Sequence, residues 1–395
     1  MISSAKDDRS TIVRVCCAYF ALFSCNGLHQ PFFPIWLSAH AITESQISVI
    51  MSAPLLLRLF VTPAIGSFAD RSSNRTRVIR VLALLVLATA MLLSRAQGFW
   101  PIMALTCLMM LMSQAISPIV DATVLSLVRQ GRAHSYGRMR LWGSAGYATA
   151  ALIGGQILGL GGPTAVFYAF MTMLAVEFVA FLALPDGAGA PVKDERPNLP
   201  LRQQPLLVAV MLVAGLALTS QTAFNIFGSI YLREHGFSDR TIGFLWALAT
   251  TAEIVMFWAG PRVTGILGPF GLLALASGVA ALRWSLMALT PHAGVIVLLQ
   301  LTHAATFSCS YLGLMRFVEV HVSDLRGATV QSQFVTLIGV MTALSTLAVG
   351  PIYQQFGSGV FLAAASLAAL AFIILLAIRK PLQASDLAHA NPSSP

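Results

Sequence analysis

Four ionisable side chains interrupt long apolar runs in this sequence: Arg58, Glu253, Arg283 and His303. Charge in such surroundings is costly, and where it is kept it faces a bundle interior or a water-filled cavity rather than lipid. The chemistry open to these groups is proton transfer. His303, in "LLQLTHAATF", carries an imidazole whose unperturbed pKa of about 6.5 lies near working pH. Glu253, in "LATTAEIVMF", places a carboxyl group well inside its run, where it can take up a proton on one side and release it on the other. Glu253 is the first choice as proton carrier, with His303 as the competing carrier. A purely structural histidine, bonded to a neighbouring helix, is the third reading.

Two polar stripes accompany them. Asn26 precedes His29 and Gln30 by three and four residues, so the three share one helical face ahead of Pro31. Gln221 and Asn225, four apart, repeat the pattern in the second half. Both stripes suit a polar cavity wall that binds a small solute, and both suit interhelical hydrogen bonding. Glu177 reads as a residue that snorkels to the nearer interface. Gly143, Gly146, Gly154 and Gly155 read as close-packing positions between helices.

The elements that position these residues follow from composition. Only 10% of the 395 residues are charged and the mean hydropathy is +0.78, against about 25% charged in soluble domains. Runs of 18 or more apolar residues recur, which is the pattern of membrane-spanning helices. Twelve spans are expected, near 12–37, 45–67, 78–95, 99–127, 140–160, 164–184, 205–232, 240–261, 268–289, 293–317, 328–353 and 358–378. The first continues past Trp36 without a small-residue cleavage site and reads as an uncleaved helix. The five cysteines show no metal spacing and sit within apolar segments, where they pack as small residues.

Lysine and arginine orient the chain. With a cytoplasmic N-terminus, 19 of the 24 basic residues face the cytoplasm and 3 the opposite side. Both termini are therefore expected in the cytoplasm, with the chain in the cell inner (plasma) membrane. The net charge of +9 reflects this topology and not a nucleic-acid face. A polar connection around 185–204 divides the spans six and six, giving bundles over 1–184 and 205–395. "IWLSAHAITESQISVI" (35–50) resembles "IYLREHGFSDRTIGFL" (230–245) at an offset of 195, as duplicated halves would. The same offset sets Arg58 opposite Glu253, and the two are expected to face each other across a central cavity or to pair locally.

The loop "GSFADRSSNRTR" (66–77) resembles the signature loop of the major facilitator superfamily, with Gly66, Asp70, Arg71 and Arg75 at the matching positions. The resemblance implies two pseudo-symmetric six-helix bundles, with this loop holding the cytoplasmic side closed. "YGRMRLWGSAGY" (136–147), "GFLWALATTAEIVMFW" (243–258) and "LRWSLMALTPHAGVIVLLQLTHAATF" (282–307) resemble the 3-phenylpropionic acid transporters and, further off, lactose permease-type proton symporters. In the permease an acidic residue and an arginine bind the sugar; Asp121 and Arg140 match them. A guanidinium also suits a substrate carboxylate. The permease's proton machinery joins an arginine, a histidine and a carboxylate three residues later. Arg283 and His303 match, while the third position is Thr306, which carries no proton at physiological pH. This departure leaves Glu253 as carrier, with Arg283 and His303 setting its affinity.

The expected function is therefore secondary transport and not enzyme catalysis. A small organic solute, an aromatic carboxylate such as 3-phenylpropionate, would enter with protons through a monomer. Sugar or nucleoside proton symport and drug efflux by antiport are the alternatives. No Walker loop, metalloprotease or hydrolase motif is present, so neither a cofactor nor a metal is expected.

Overall fold

A computed structural model describes residues 2–72, 74–130, 136–185, 204–289, 292–322 and 324–382. Among them the regular elements are all helical: α1 (Ile2–Ala39), α2 (Glu44–Arg71), α3 (Arg75–Leu93), α4 (Phe99–Arg129), α5 (Tyr136–Leu182), α6 (Pro205–Thr219), α7 (Thr222–Glu234), α8 (Asp239–Leu289), α9 (Ala293–Leu301), α10 (His303–His321), α11 (Asp324–Phe356) and α12 (Val360–Ala377). A helix satisfies its own backbone polar groups, which is what a lipid environment demands of a spanning segment. The all-α membrane fold expected from hydropathy is what the chain forms.

The helical breaks differ from the expected ones. Nine stretches among the described residues are long and apolar enough to cross a bilayer. Three of them, Tyr136–Leu182, Asp239–Leu289 and Val330–Ala377, run 47, 51 and 48 residues, more than twice the ~20 needed for one crossing. The first two turn at Gly162 (φ 72°, ψ −173°) and Gly268 (φ 61°, ψ −179°), a conformation essentially confined to glycine. A proline follows each, and the helix restarts with Pro163 and Pro269 in its first turn. The third is interrupted by a 3-10 turn, Gly357–Gly359.

Two expected single helices are broken. α6 stops at Thr219 and α7 begins at Thr222, and α9 stops at Leu301 with α10 starting at His303. Hydroxyl groups explain both interruptions. Ser220 donates to the Ala217 carbonyl, Thr222 to Thr219 and Thr302 to Leu299, each at 2.7 Å. Such bonds three residues back compete with the helical ladder and tighten the turn.

The internal repeat is present in three dimensions. The chain leaves α1 through Ala41 (φ 58°) and α7 through Gly236 (φ 80°). Ile42 N–H bonds the Leu37 carbonyl, and Phe237 N–H bonds that of Leu232. His40 Nδ1 and His235 Nδ1 each lie 2.8 Å from the carbonyl oxygen four residues back, Trp36 and Tyr231. Thr43 then caps α2 by accepting from Gln46 N–H, as Ser238 accepts from Thr241 N–H. Every pair is separated by 195 residues. Since the left-handed conformation costs a residue with a Cβ about 1–2 kcal/mol, Ala41→Gly should stabilise the protein by about 1 kcal/mol. Thermal unfolding in detergent measures this, and an unchanged or lower midpoint would refute it.

The chain packs as two compact units. The first takes in the described residues of 1–193 and 226–251, the second those of 194–225 and 252–395. In the first, α1 lies along α5, and Arg80 of α3 ties that packing at one end. Its guanidinium donates to the carbonyls of Phe181, Leu182 and Leu184 at the end of α5. There the helical ladder runs out and, among the described residues, only Phe181 also accepts a backbone bond, from Leu184 N–H. Gly155 of α5 meets Gly243 of α8, where an added Cβ on Gly155 would stand 2.8 Å from the Gly243 Cα. In the second unit, α6 is the central helix, with Val213, Phe317, Phe334 and Leu375 buried around it. The connection expected over 185–204 lies, apart from its two end residues, outside the described residues.

Candidate functional site

The second unit brings Glu253, Arg283 and His303 together from the two arms of α8, on either side of Gly268, and from α10. Arg283 of α8 is 1% exposed and fully enclosed beside Trp284. Its Nη1 donates to Thr306 Oγ1 at 3.1 Å and lies 3.2 Å from His303 Nδ1, and its Nη2 donates to Gln300 Oε1 at 3.2 Å. The guanidinium carbon lies 4.4 Å from the Trp284 ring centre and 5.8 Å from that of Phe224, contacts that offset part of its desolvation. Trp284 is anchored by its Nε1–H to Ser220 at the α6–α7 break.

This arrangement assigns the histidine tautomer. A guanidinium has donors and no acceptor, so His303 Nδ1 must receive the Arg283 bond as a bare nitrogen. The ring proton then sits on Nε2, which lies 3.6 Å from Glu253 Oε2. His303 cannot gain a second proton on Nδ1 without displacing Arg283. Glu253 keeps a quarter of its side chain exposed, so its carboxyl group is reachable.

Thr306 is the residue three places after His303, where the sequence resemblance leads one to expect a carboxylate. It is buried, accepts from Arg283 and donates to the His303 carbonyl. The carboxylate beside His303 comes from α8, with Glu253 Oε2 3.6 Å from Nε2. The break at Thr302 makes His303 the first residue of α10.

The first unit holds a polar cavity with about 350 Å³ of empty space. Asn26 and His29 line it from α1, Ser113 and Gln114 from α4, and Phe170 from α5. His29 stacks on Phe33 at 4.5 Å and leans on Phe170 at 5.3 Å, while its Nε2 has no hydrogen-bond partner. Gln114 Oε1 accepts from Arg58 Nη1 at 2.9 Å, leaving its amide nitrogen without a partner. Arg58 therefore bonds within its own unit, and Glu253 meets His303 within the other. Sequence reasoning passed over Ser113 and Gln114. The signal is a polar pair inside "LMMLMSQAIS", which the apolar residues around it mask. Gln30 is half-buried and is not among the cavity's lining residues.

Asp121 and Arg140 do not form a direct ion pair among the described residues. Tyr19 intervenes: its hydroxyl donates to Asp121 at 2.5 Å, and the Arg140 guanidinium lies 3.9 Å over Phe23 and 5.6 Å over Tyr19. Arg140 is stabilised by aromatic faces, a role its planar cation suits. Gln221 is buried at the α6–α7 break and Asn225 follows it one turn on, half-buried. In the signature loop, Gly66 has open space around it, Arg71 ends α2 and Arg75 begins α3. The Asp70 side chain lies outside the described residues. Glu177, expected to snorkel, is instead 2% exposed, with the Cys25 thiol donating to Oε2 at 3.1 Å. Its position on α5 faces α1 and not the interface.

Residues 12–363 match the model of the MFS_1 like family. The chain is 26% identical over 359 residues, 87% of its length, to a probable 3-phenylpropionic acid transporter of Escherichia coli strain K12, covering 91% of that protein. It is 30% identical over 283 residues to a maltose permease of Geobacillus stearothermophilus, covering 69% of this chain and 70% of the permease. Among solved structures, that of the nucleoside transporter NupG superposes with a TM-score of 0.80 at 15% identity, over 94% of this chain and 99% of that one. That likeness extends the shared fold to nearly the whole length.

Proposed function

This chain belongs to the MFS_1 like family of the major facilitator superfamily, whose members are membrane transporters and not enzymes, and we propose that it imports an aromatic carboxylate such as 3-phenylpropionate by proton symport. In this reading the three double-length stretches each cross twice, giving twelve crossings of the inner membrane with both termini cytoplasmic. The functional halves are 1–184 and 205–395, joined by the 185–204 connection, and a monomer completes the cycle by alternating access. Gly66, Asp70, Arg71 and Arg75 gate the cytoplasmic side.

One observation carries the proton coupling: Arg283 occupies His303 Nδ1, so the exchangeable proton belongs on Glu253. An ionised Glu253 attracts the His303 Nε2–H, 3.6 Å from its Oε2. A protonated Glu253 loses most of that attraction, which turns proton binding into a change in how α8 and α10 are held together. Arg283 keeps the imidazole in the one tautomer that serves this exchange.

The substrate class is supported by the relative in Escherichia coli and by the first unit's cavity. Unpartnered nitrogens on His29 and Gln114 offer hydrogen bonds to a carboxylate or other oxygen, and Phe170 offers a face for an aromatic ring. In this reading Asn26, Gln30, Asp121 and Arg140 offer further polar groups to solute within the first unit, and Gln221 and Asn225 offer theirs within the second. A sugar is the second reading, favoured by the same amide and imidazole groups, which bind hydroxyls equally well, and by the maltose permease relative.

The test is uptake into vesicles reconstituted with the purified protein. An inward acid gradient should accelerate uptake of labelled 3-phenylpropionate, and a protonophore should abolish the acceleration. Uptake indifferent to the gradient, or driven by sodium, would exclude proton symport. Comparing the thermal midpoint with aromatic acids, sugars and nucleosides separates the substrate classes, because a ligand of the native state raises stability.

A further inference from the structure

We infer that Glu177 is a second proton-binding group, linked to the cavity of the first unit through the thiol of Cys25. Glu177 lies on α5, which packs along α1. It is 2% exposed, and Cys25 is 4% exposed. The Cys25 thiol donates to Oε2 at 3.1 Å, and Oε1 has no hydrogen-bond partner. Cys25 is itself a lining residue of the cavity, beside Asn26 and His29. The carboxyl group thus stands one hydrogen bond behind the cavity wall.

The surroundings argue for an exchangeable proton over a packing role. A carboxylate is ordinarily buried only with a cation or several donors, and among the described residues no cation lies within ion-pair reach of Glu177. Four of the charged and titratable groups on the elements packed against it are engaged elsewhere. Arg14 of α1 reaches the Ala183 carbonyl, and Arg80 of α3 caps the carbonyls of Phe181, Leu182 and Leu184. Tyr19 of α1 is committed to Asp121 of α4, and His29 stacks on Phe33 and Phe170. A permanently neutral acid would be held by donating its O–H to a fixed carbonyl, and among the described residues Glu177 has no such acceptor. A thiol is a weak partner of either sign: it donates to the carboxylate and can turn to accept from the acid. The step is a relay of one proton: a hydronium in the cavity gives its proton to the Cys25 sulfur as the thiol passes its own to Glu177 Oε2. One S–H bond breaks as another forms, water is left behind, and the reverse releases the proton.

This extends the proton-coupling reading to the first unit, but its test does not depend on transport. Infrared difference spectra of the purified full-length protein between mildly acidic and mildly alkaline buffer should show a carboxylic acid C=O band that disappears in Glu177→Gln. The S–H stretch of Cys25 should shift in step with that band, and Cys25→Ser should remove the S–H signal and displace the C=O band. Glu253→Gln should leave the Glu177 band in place. A carboxyl band that does not respond to pH, or a responsive band that survives Glu177→Gln, would overturn the inference. Thermal unfolding controls for folding, and Cys25→Ser supplies the same test should Glu177→Gln fail to fold. A titrating Glu177 band alongside gradient-independent uptake would sustain this inference while removing the symport reading.

Discussion

Glu253→Gln is expected to reduce acid-gradient-driven uptake to the level of empty vesicles while leaving solute exchange across the membrane intact. The amide keeps the shape and can still accept from His303 Nε2–H, 3.6 Å from the native oxygen, but it cannot bind and release a proton. Exchange of labelled for unlabelled solute needs no net proton movement, so it should persist. This split separates a carrier from a structural residue, whose loss would lower both. His303→Ala should weaken coupling without eliminating it, because it removes a donor to Glu253 and leaves the carboxyl group in place. If His303→Ala alone abolishes gradient-driven uptake and Glu253→Gln does not, the proton resides on the imidazole and the tautomer argument fails.

Gly155→Leu should also abolish uptake, for a reason of packing and not of charge. An added Cβ at Gly155 would stand 2.7 Å from the Asp239 carbonyl oxygen and 2.8 Å from the Gly243 Cα, while one at Gly243 would stand 2.5 Å from the Ala151 carbonyl oxygen. These neighbours are backbone, so they cannot rotate away. The helices must separate, and overpacking of this kind costs about 1–3 kcal/mol. Gly155→Ala should fall between Leu and wild type, and Gly294→Ala, with nothing within 4 Å of its added Cβ, should be neutral in both uptake and thermal midpoint. Wild-type uptake by Gly155→Leu with an unchanged midpoint would show that α5 and α8 do not meet closely here.

The helical membrane fold was legible because apolar run length is a local property. So was the repeat: an offset of 195 residues in sequence reappears as the same caps, the same histidine contacts and the same left-handed exits at Ala41 and Gly236. Gly155 was legible as a close-packing residue, since a side chain of one hydrogen is a statement about available space. Its partner, Gly243, was not, because nothing local links two residues 88 positions apart.

The site divides in the same way. That Glu253, Arg283 and His303 are unusual follows from their types and from the apolar runs around them, since charge in lipid demands a reason. Which atoms they turn toward one another could not follow, because it depends on how α8 folds back at Gly268 and how α10 packs against it. The break at Thr302, the enclosure of Arg283 and the bare nitrogen of His303 exist only in the folded second unit. Glu177 shows the limit most plainly. Its position along the sequence argued for snorkelling, yet its helix turns it toward Cys25. Composition and run length determined that this chain lives in a membrane and which of its residues are expensive to keep there. Only the tertiary structure decided their partners, because burial and hydrogen-bond geometry are set by neighbours that the linear order does not name.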